Sequence, residues 1–184
     1  MSEYVKSAQE RMEKSLSTLK RELAAVRAGR ANPALLDKVL VDYYGTMTPI
    51  TQMASVTAPE PRQLIIQPWD KGTMAEIERA ILKSDLGLSP SNDGVVIRLQ
   101  VPQLTAERRQ ELTKYIRKLA EESRVAVRNV RRDGNDEVKK AEKQSLLPED
   151  ESRRLQEKIQ EVTDHAVAEI DRMLALKEKE LLEV

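Results

Sequence analysis

Between Thr105 and Lys143, small or apolar side chains return at Leu112, Ile116, Leu119, Ser123, Val127, Val130, Gly134 and Val138, in steps of three and four. A period of this kind describes one side of a single long α-helix and excludes a strand. At ~1.5 Å per residue the helix is roughly 60 Å long. A helix of that length cannot bury its own stripe, so the rest of the chain must supply partners.

Two further segments qualify. From Glu3 to Arg27 the seam is Val5, Ala8, Met12, Leu16, Leu19, Leu23 and Val26, with Gly29 in the place of a left-handed cap and Pro33 beyond it. After SLLPED, Pro148 is expected at a first helical position, followed by Glu149, Asp150 and Glu151. That helix runs to about Leu182 on a seam of Leu155, Ile159, Val162, Ala166, Ile170 and Met173. Three such helices predict an antiparallel three-helix bundle.

The chain between them reads differently. KVLVDYYG, PITQMASVTA, RQLIIQPW and GVVIRLQVP are short runs rich in Val, Ile, Thr and Tyr, bounded by Gly, Pro, Asn and Asp, which predicts strands. One helix interrupts them, with Thr73 and Glu76 as an expected capping box and Ile77, Ala80 and Ile81 as its buried face. SPSNDG is expected to be a turn cluster before the last strand pair, and Trp69 a core or interdomain anchor.

The predicted fold is therefore α+β. Residues 1–30 and 105–184 form a discontinuous three-helix bundle, Thr105 being the expected N-cap of the second long helix, and residues 31–104 form a small inserted β/α/β domain. The chain crosses between them twice, at Gly29, Arg30, Ala31, Asn32 and Pro33 and at Val101, Pro102, Gln103, Leu104 and Thr105. A two-strand connection with proline in both strands is a candidate hinge.

Charge is informative only in its distribution. Lys plus Arg and Asp plus Glu both number 31. The net is +3 over residues 1–30, −2 over 31–104, +4 over 105–145 and −5 over 146–184. On the second long helix Arg117, Arg124, Arg128 and Arg131 share a face beside the seam, Arg132 lies at its edge, and Lys20, Arg27 and Arg30 add to it from the first helix. Such a ridge suits a phosphate backbone, because each guanidinium is a planar fork of donors with permanent charge. The competing reading is a solvated or intramolecular face, neutralised by the acidic third helix, with Glu121 pairing with Arg117. Charge alone leaves both open. With aromatic content of 3% and no Phe, base stacking is not the expected mode for any RNA target; backbone and shape recognition is.

Chemistry-bearing motifs are missing. There is no P-loop, no G-x-G-x-x-G and no H-E-x-x-H, and the sole histidine, His165, has no nucleophile motif beside it. Asp133, Asp136 and Glu137 read as solvating acids or as i,i+4 partners. Without cysteine there is no disulfide framework and no thiolate metal site. No catalytic residue, metal site or cofactor is expected. The N-terminal residues have no apolar signal core and no segment has the length to span a bilayer, so a soluble, cytoplasmic protein is expected.

The order of longer motifs points to a family. VRAGRANPALLD (26–37), VDYYGTMTPITQMASVTAPEPR (41–62), SDLGLSPSNDGVVIRL (84–99), LTAERRQELTK (104–114) and RVAVRNVRRDGND (124–136) resemble the bacterial ribosome recycling factors, over essentially the whole chain. The resemblance implies an L-shaped molecule of transfer-RNA dimensions, a three-helix bundle with a hinged β/α/β domain. It implies action after translation termination, on the large ribosomal subunit and its rRNA. With elongation factor G and GTP, such a factor separates the subunits and releases mRNA and tRNA. It implies no enzymatic activity, the GTPase being the partner, no membrane association, and a monomer. It carries rRNA binding to Arg27, Arg30, Arg128, Arg131 and Arg132, with Arg124 added by spacing, and hinge roles to the two crossing segments. Gly134 departs from the pattern, since a small residue such as Ala is expected there. The reading from a different class is a helical scaffold that binds a partner through an exposed seam, which requires apolar surface left over once the bundle forms.

Overall fold

The computed structural model describes residues 2–183, so Met1 and Val184, the outer bounds of the expected bundle segments, lie outside it. The chain resolves into two compact units, one made of residues 2–27 with Ala106–Glu183 and the other of Ala28–Thr105.

The first unit consists of α1 (Glu3–Ala25), α3 (Ala106–Lys143) and α4 (Glu149–Leu182). The α3 seam is buried at every predicted position from Leu112 to Val138. Gly134 lies in its middle without breaking the helix. A Cβ there would stand 3.4 Å from Ile159 Cδ1 of α4 and 3.7 Å from Ala8 Cβ of α1, so three helices converge at this point. Because these seams are occupied by one another, the exposed-seam scaffold loses the leftover apolar face it needs.

Local details depart from expectation. α1 ends at Ala25 with an extended Val26 as C-cap, so Arg27 lies beyond the helix and Gly29 is not its cap. Leu16 is only half-buried. Pro148 is the N-cap of α4 and not its first helical residue, with an extended ψ of 152°. The α4 seam runs through Ser152, Leu155, Ile159, Thr163, Ala166, Ile170, Lys177 and Leu181, and Val162 and Met173 stand at its half-buried edges. Thr163 is tolerated inside because its hydroxyl donates to the Ile159 carbonyl at 2.7 Å. Lys177 buries its stem and brings Nζ to 3.1 Å from Glu180. A polar residue with a local partner can thus occupy a seam position, which hydrophobic periodicity does not anticipate.

The second unit contains β1 (Leu40–Tyr43), β2 (Thr46–Pro49), β3 (Ala54–Glu60), β4 (Gln63–Pro68), α2 (Met74–Lys83), β5 (Pro90–Asn92) and β6 (Ile97–Gln100). β1 and β2 form a separate antiparallel ribbon, and the other four strands an antiparallel sheet in the order β3-β4-β6-β5. Leu64 pairs with Leu99 and Ile66 with Ile97, so four large side chains leave the same face of the sheet and are fully buried. Ile77 and Ile81 of α2 join the same core. Each such side chain contributes about 1.5–3 kcal/mol of transfer free energy.

PITQMASVTA is not one strand: a 3₁₀ turn at Ile50–Gln52 sends Ile50 into the core and separates β2 from β3. SPSNDG is only partly a turn, since Pro90–Asn92 is edge strand β5, where a missing proline N–H is harmless. The capping box does not form. A 3₁₀ turn at Lys71–Thr73 precedes α2, so Thr73 is already helical and its hydroxyl donates backward to the Asp70 carbonyl at 2.7 Å. Asp70 caps that turn by accepting from Gly72 N at 2.9 Å, while Glu76 takes Arg79. Trp69 is 70% exposed and anchors no core; it follows β4 directly, and its backbone N–H donates to the Met53 carbonyl.

Candidate polyanion interface and crossing segments

α3 presents its arginines beside the seam, and α4 decides which of them stay available. Arg117 donates through Nε to Glu178 at 2.6 Å, so Glu178 and not Glu121 is its partner. Arg124 is largely enclosed, with a side chain 19% exposed. Its Nε and Nη2 both reach Asp171 Oδ1, at 3.0 and 2.5 Å, and Nη1 reaches Glu121 at 3.0 Å. The Asp171 hydrogen bond chiefly raises its pKa above the ordinary arginine value. For Arg117 and Arg124 the intramolecular reading of the charge is the one realised.

Farther along α3 the situation changes. Arg128 touches Glu121 only at 3.4 Å and keeps a side chain 52% exposed. Half-buried Arg131 donates to the neutral Gln160 amide oxygen at 3.3 Å, which leaves its charge uncompensated. Arg132 is exposed and makes no hydrogen bond or ion pair among the described residues. Lys139 and Lys143, seven and eleven residues past Arg132, are exposed on the same side of α3 and also unpaired among the described residues. Sequence reasoning stopped at Arg132 and missed them, although the spacing of seven was available as a signal. From Arg128 to Lys143 this line extends roughly 22 Å at ~1.5 Å per residue. Exposed guanidinium and ammonium groups at this density can neutralise successive phosphates without reading bases.

Arg27 lies exposed beyond α1 in the helical unit, and Arg30 lies exposed in the other unit. Neither shares a helical face with the α3 arginines.

The crossing segments fall within the Ala28–Thr105 unit. Gly29 has φ +71° and no room for a side chain, since a Cβ would come 2.9 Å from Leu104 Cγ. Ala31 donates its N–H to the Pro61 carbonyl at 2.7 Å. Asn32 Oδ1 accepts from Ala34 N at 2.9 Å and starts the 3₁₀ turn Pro33–Leu36, with Pro33 in its first turn. Val101 is buried and donates to the Arg62 carbonyl at 2.8 Å. Pro102 and Gln103 are exposed, Leu104 is half-buried, and Thr105 immediately precedes α3.

Among the described residues no group of three His, Asp or Glu side chains could hold a metal ion. Exposed His165 borders a shallow groove floored by Met12, Leu16, Val162 and Ala166. No described helix is long and apolar enough to cross a membrane.

Residues 19–182 match the family model for ribosome recycling factor. The ribosome-recycling factor of Brevibacillus brevis is 59% identical over 176 residues, covering 96% of this chain and 95% of that protein. That of Desulfitobacterium hafniense is 58% identical over the full length of both. A solution structure of the ribosome recycling factor aligns with TM-score 0.78 at 40% identity, over 98% of this chain and 96% of that one. Models for the T. thermophilus ribosome recycling factor and the E. coli elongation factor G bound to the E. coli post-termination complex align with TM-score 0.64 at 47% identity, over 98% and 97% of the chains.

Proposed function

The chain belongs to the ribosome recycling factor family, and from that membership we propose that it recycles ribosomes after translation termination. It binds the post-termination ribosome and, with elongation factor G and GTP, separates the subunits and frees mRNA and tRNA. It acts as a monomer in the cytoplasm and has no enzymatic activity, GTP hydrolysis belonging to elongation factor G. The single observation that carries this reading is the family match over nearly the whole chain.

Within that function, the helical unit takes rRNA of the large subunit along the outer side of α3. Exposure supports Arg128 and Arg132 as phosphate contacts, and the lack of an acidic partner supports Arg131 and Arg132, with Arg27 and Arg30 as further exposed cations. Arg124 serves mainly to fasten α3 to α4, because each of its three guanidinium nitrogens already donates to Asp171 or Glu121. Residues 1–30 with 105–184, and 31–104, act as the two functional domains. The segments at 29–33 and 101–105 carry bending between them.

The test is co-sedimentation of the wild type and Arg132→Ala with ribosomes and with separated subunits, across a salt series. Binding to whole ribosomes and large subunits, weaker and less salt-dependent in the variant, is the expected result. No binding of the wild type to either particle at low salt sinks the reading.

A further inference from the structure

The dipeptide Asp–Gly occurs twice in the chain, at Asp93–Gly94 and Asp133–Gly134. Its chemistry is particular. The glycine nitrogen can attack Cγ of the preceding protonated carboxyl, forming a C–N bond and expelling water to leave a succinimide. Water then opens the ring at either carbonyl and returns aspartate or isoaspartate, in which the main chain runs through the former side chain. No other reagent is needed, and glycine favours the step because no Cβ crowds the attacking nitrogen.

Asp93–Gly94 lies in the short turn between β5 and β6, with Gly94 at φ +88° and open space around its Cβ position. Sequence and exposure therefore favour the reaction. The contacts oppose it. Asp93 Oδ1 accepts from Val95 N at 2.9 Å and from Val96 N at 2.8 Å, and Oδ2 accepts from the Arg98 guanidinium. These bonds favour the ionised carboxyl, and a carboxylate has no hydroxyl to lose as water. The nucleophile is engaged as well, since the Gly94 N–H donates to Asn92 Oδ1 at 2.7 Å. Asp133–Gly134 is guarded differently: it lies inside α3, and Asp133 accepts from Arg11 of α1 at 2.7 Å.

We propose that Asp93–Gly94 is a latent site of aspartyl isomerisation, kept shut in the folded chain by the Val95, Val96 and Arg98 bonds to the carboxylate and by the Asn92 bond to the nucleophile. It opens before Asp133–Gly134, because a short turn is released by losing a few exposed hydrogen bonds whereas α3 would have to unwind. Isoaspartate at this position adds one backbone atom beside the paired residues Asn92 and Ile97, so edge strand β5 loses its register on β6. The inference concerns the covalent ageing of the chain and stands apart from the ribosome reading; either can fail without the other.

The experiment incubates the intact chain and the free peptide of residues 89–98 at neutral pH. Isoaspartate is then quantified by mass spectrometry after digestion with a protease that cuts before aspartate and not before isoaspartate. The peptide is expected to isomerise at Asp93. The folded chain should do so at least about tenfold more slowly, since a carboxyl held at about 2 and not 3.8 is protonated more than tenfold less often. Arg98→Ala should raise the rate in the folded chain by about two- to fivefold, as loss of an exposed ion pair allows. Asn92→Ala, on the exposed turn, should raise it by about two- to tenfold by freeing the nucleophile. Circular dichroism confirms that both variants remain folded during incubation. Isomerisation of the wild-type chain at the peptide's rate overturns the proposal, as does a peptide that stays intact. Wild-type rates in both folded variants would equally remove these contacts as the lock.

Discussion

Arg124 of α3 and Asp171 of α4 are joined by two guanidinium nitrogens on a single carboxylate oxygen, at 3.0 and 2.5 Å, across 47 residues of sequence. The arginine therefore belongs to the bundle's own packing, and its removal should be felt in stability before binding. Asp171 is more than half exposed, so solvent screening keeps the pair weak. Arg124→Ala and Asp171→Ala are each expected to cost about 0.5–1 kcal/mol, with a coupling of similar size in the double mutant. Chemical denaturation of the four proteins measures it; additive losses would show that the pair contributes nothing.

Arg128 and Arg132 should behave in the opposite way. Arg128→Ala and Arg132→Ala should leave thermal stability within about 0.5 kcal/mol of the wild type, as exposed substitutions do. Each should reduce the slope of log binding constant against log salt by about 0.7–0.9 if it neutralises one phosphate. Ribosome binding at several salt concentrations checks this, and an unchanged slope removes that residue from the contact.

Lys139 and Lys143 extend the same line, so Lys139→Gln and Lys143→Gln are expected to reduce the salt slope without lowering stability. If only the arginine variants respond, the interface ends near Arg132.

Two glycines should respond with opposite signs. At Gly134 a methyl group meets only ordinary van der Waals contacts, the nearest at 3.4 Å, so Gly134→Ala should gain up to about 1 kcal/mol of helix propensity. At Gly29, φ is +71° and Leu104 blocks the Cβ position, so Gly29→Ala should lose at least about 1–2 kcal/mol. Thermal melts of both variants decide it.

Asp93 gives the small unit an acid limit. Backbone N–H groups of Val96 and Val95, and then Arg98, hold its carboxyl at about 2, below an ordinary value of 3.8. The folded state thus favours the ionised form. That stabilisation is present above the ordinary value and is lost as pH falls through about 2. Asp93→Asn should flatten the decline in stability between those values, and matching acid profiles for the two proteins would exclude the contribution.

The three long helices were legible because each seam repeats over many turns, and the strands because Val- and Ile-rich runs end at turn residues. What misled was local. Thr73 and Glu76 spell a capping box, but a 3₁₀ turn ahead of α2 gives the role to Asp70. Thr163 and Lys177 occupy seam positions that apolar periodicity assigns to neighbours, because each satisfies its polar atom nearby. Trp69 reads as a core residue by type, and only the path of the chain after β4 leaves it outside.

The sequence by itself determined that the chain builds three mutually dependent helices, with a sheet domain inserted between the first and the second, since period and turn chemistry are properties of neighbouring residues. It also carried the motifs that identify the family. Only the tertiary structure decided which arginines remain available. Arg117 and Arg128 look equivalent in sequence, yet Glu178, 61 residues away, takes the first, while the second keeps only a 3.4 Å contact within its own helix. That outcome depends on the register of α4 against α3, which is set by how whole side chains interlock and which no local pattern records.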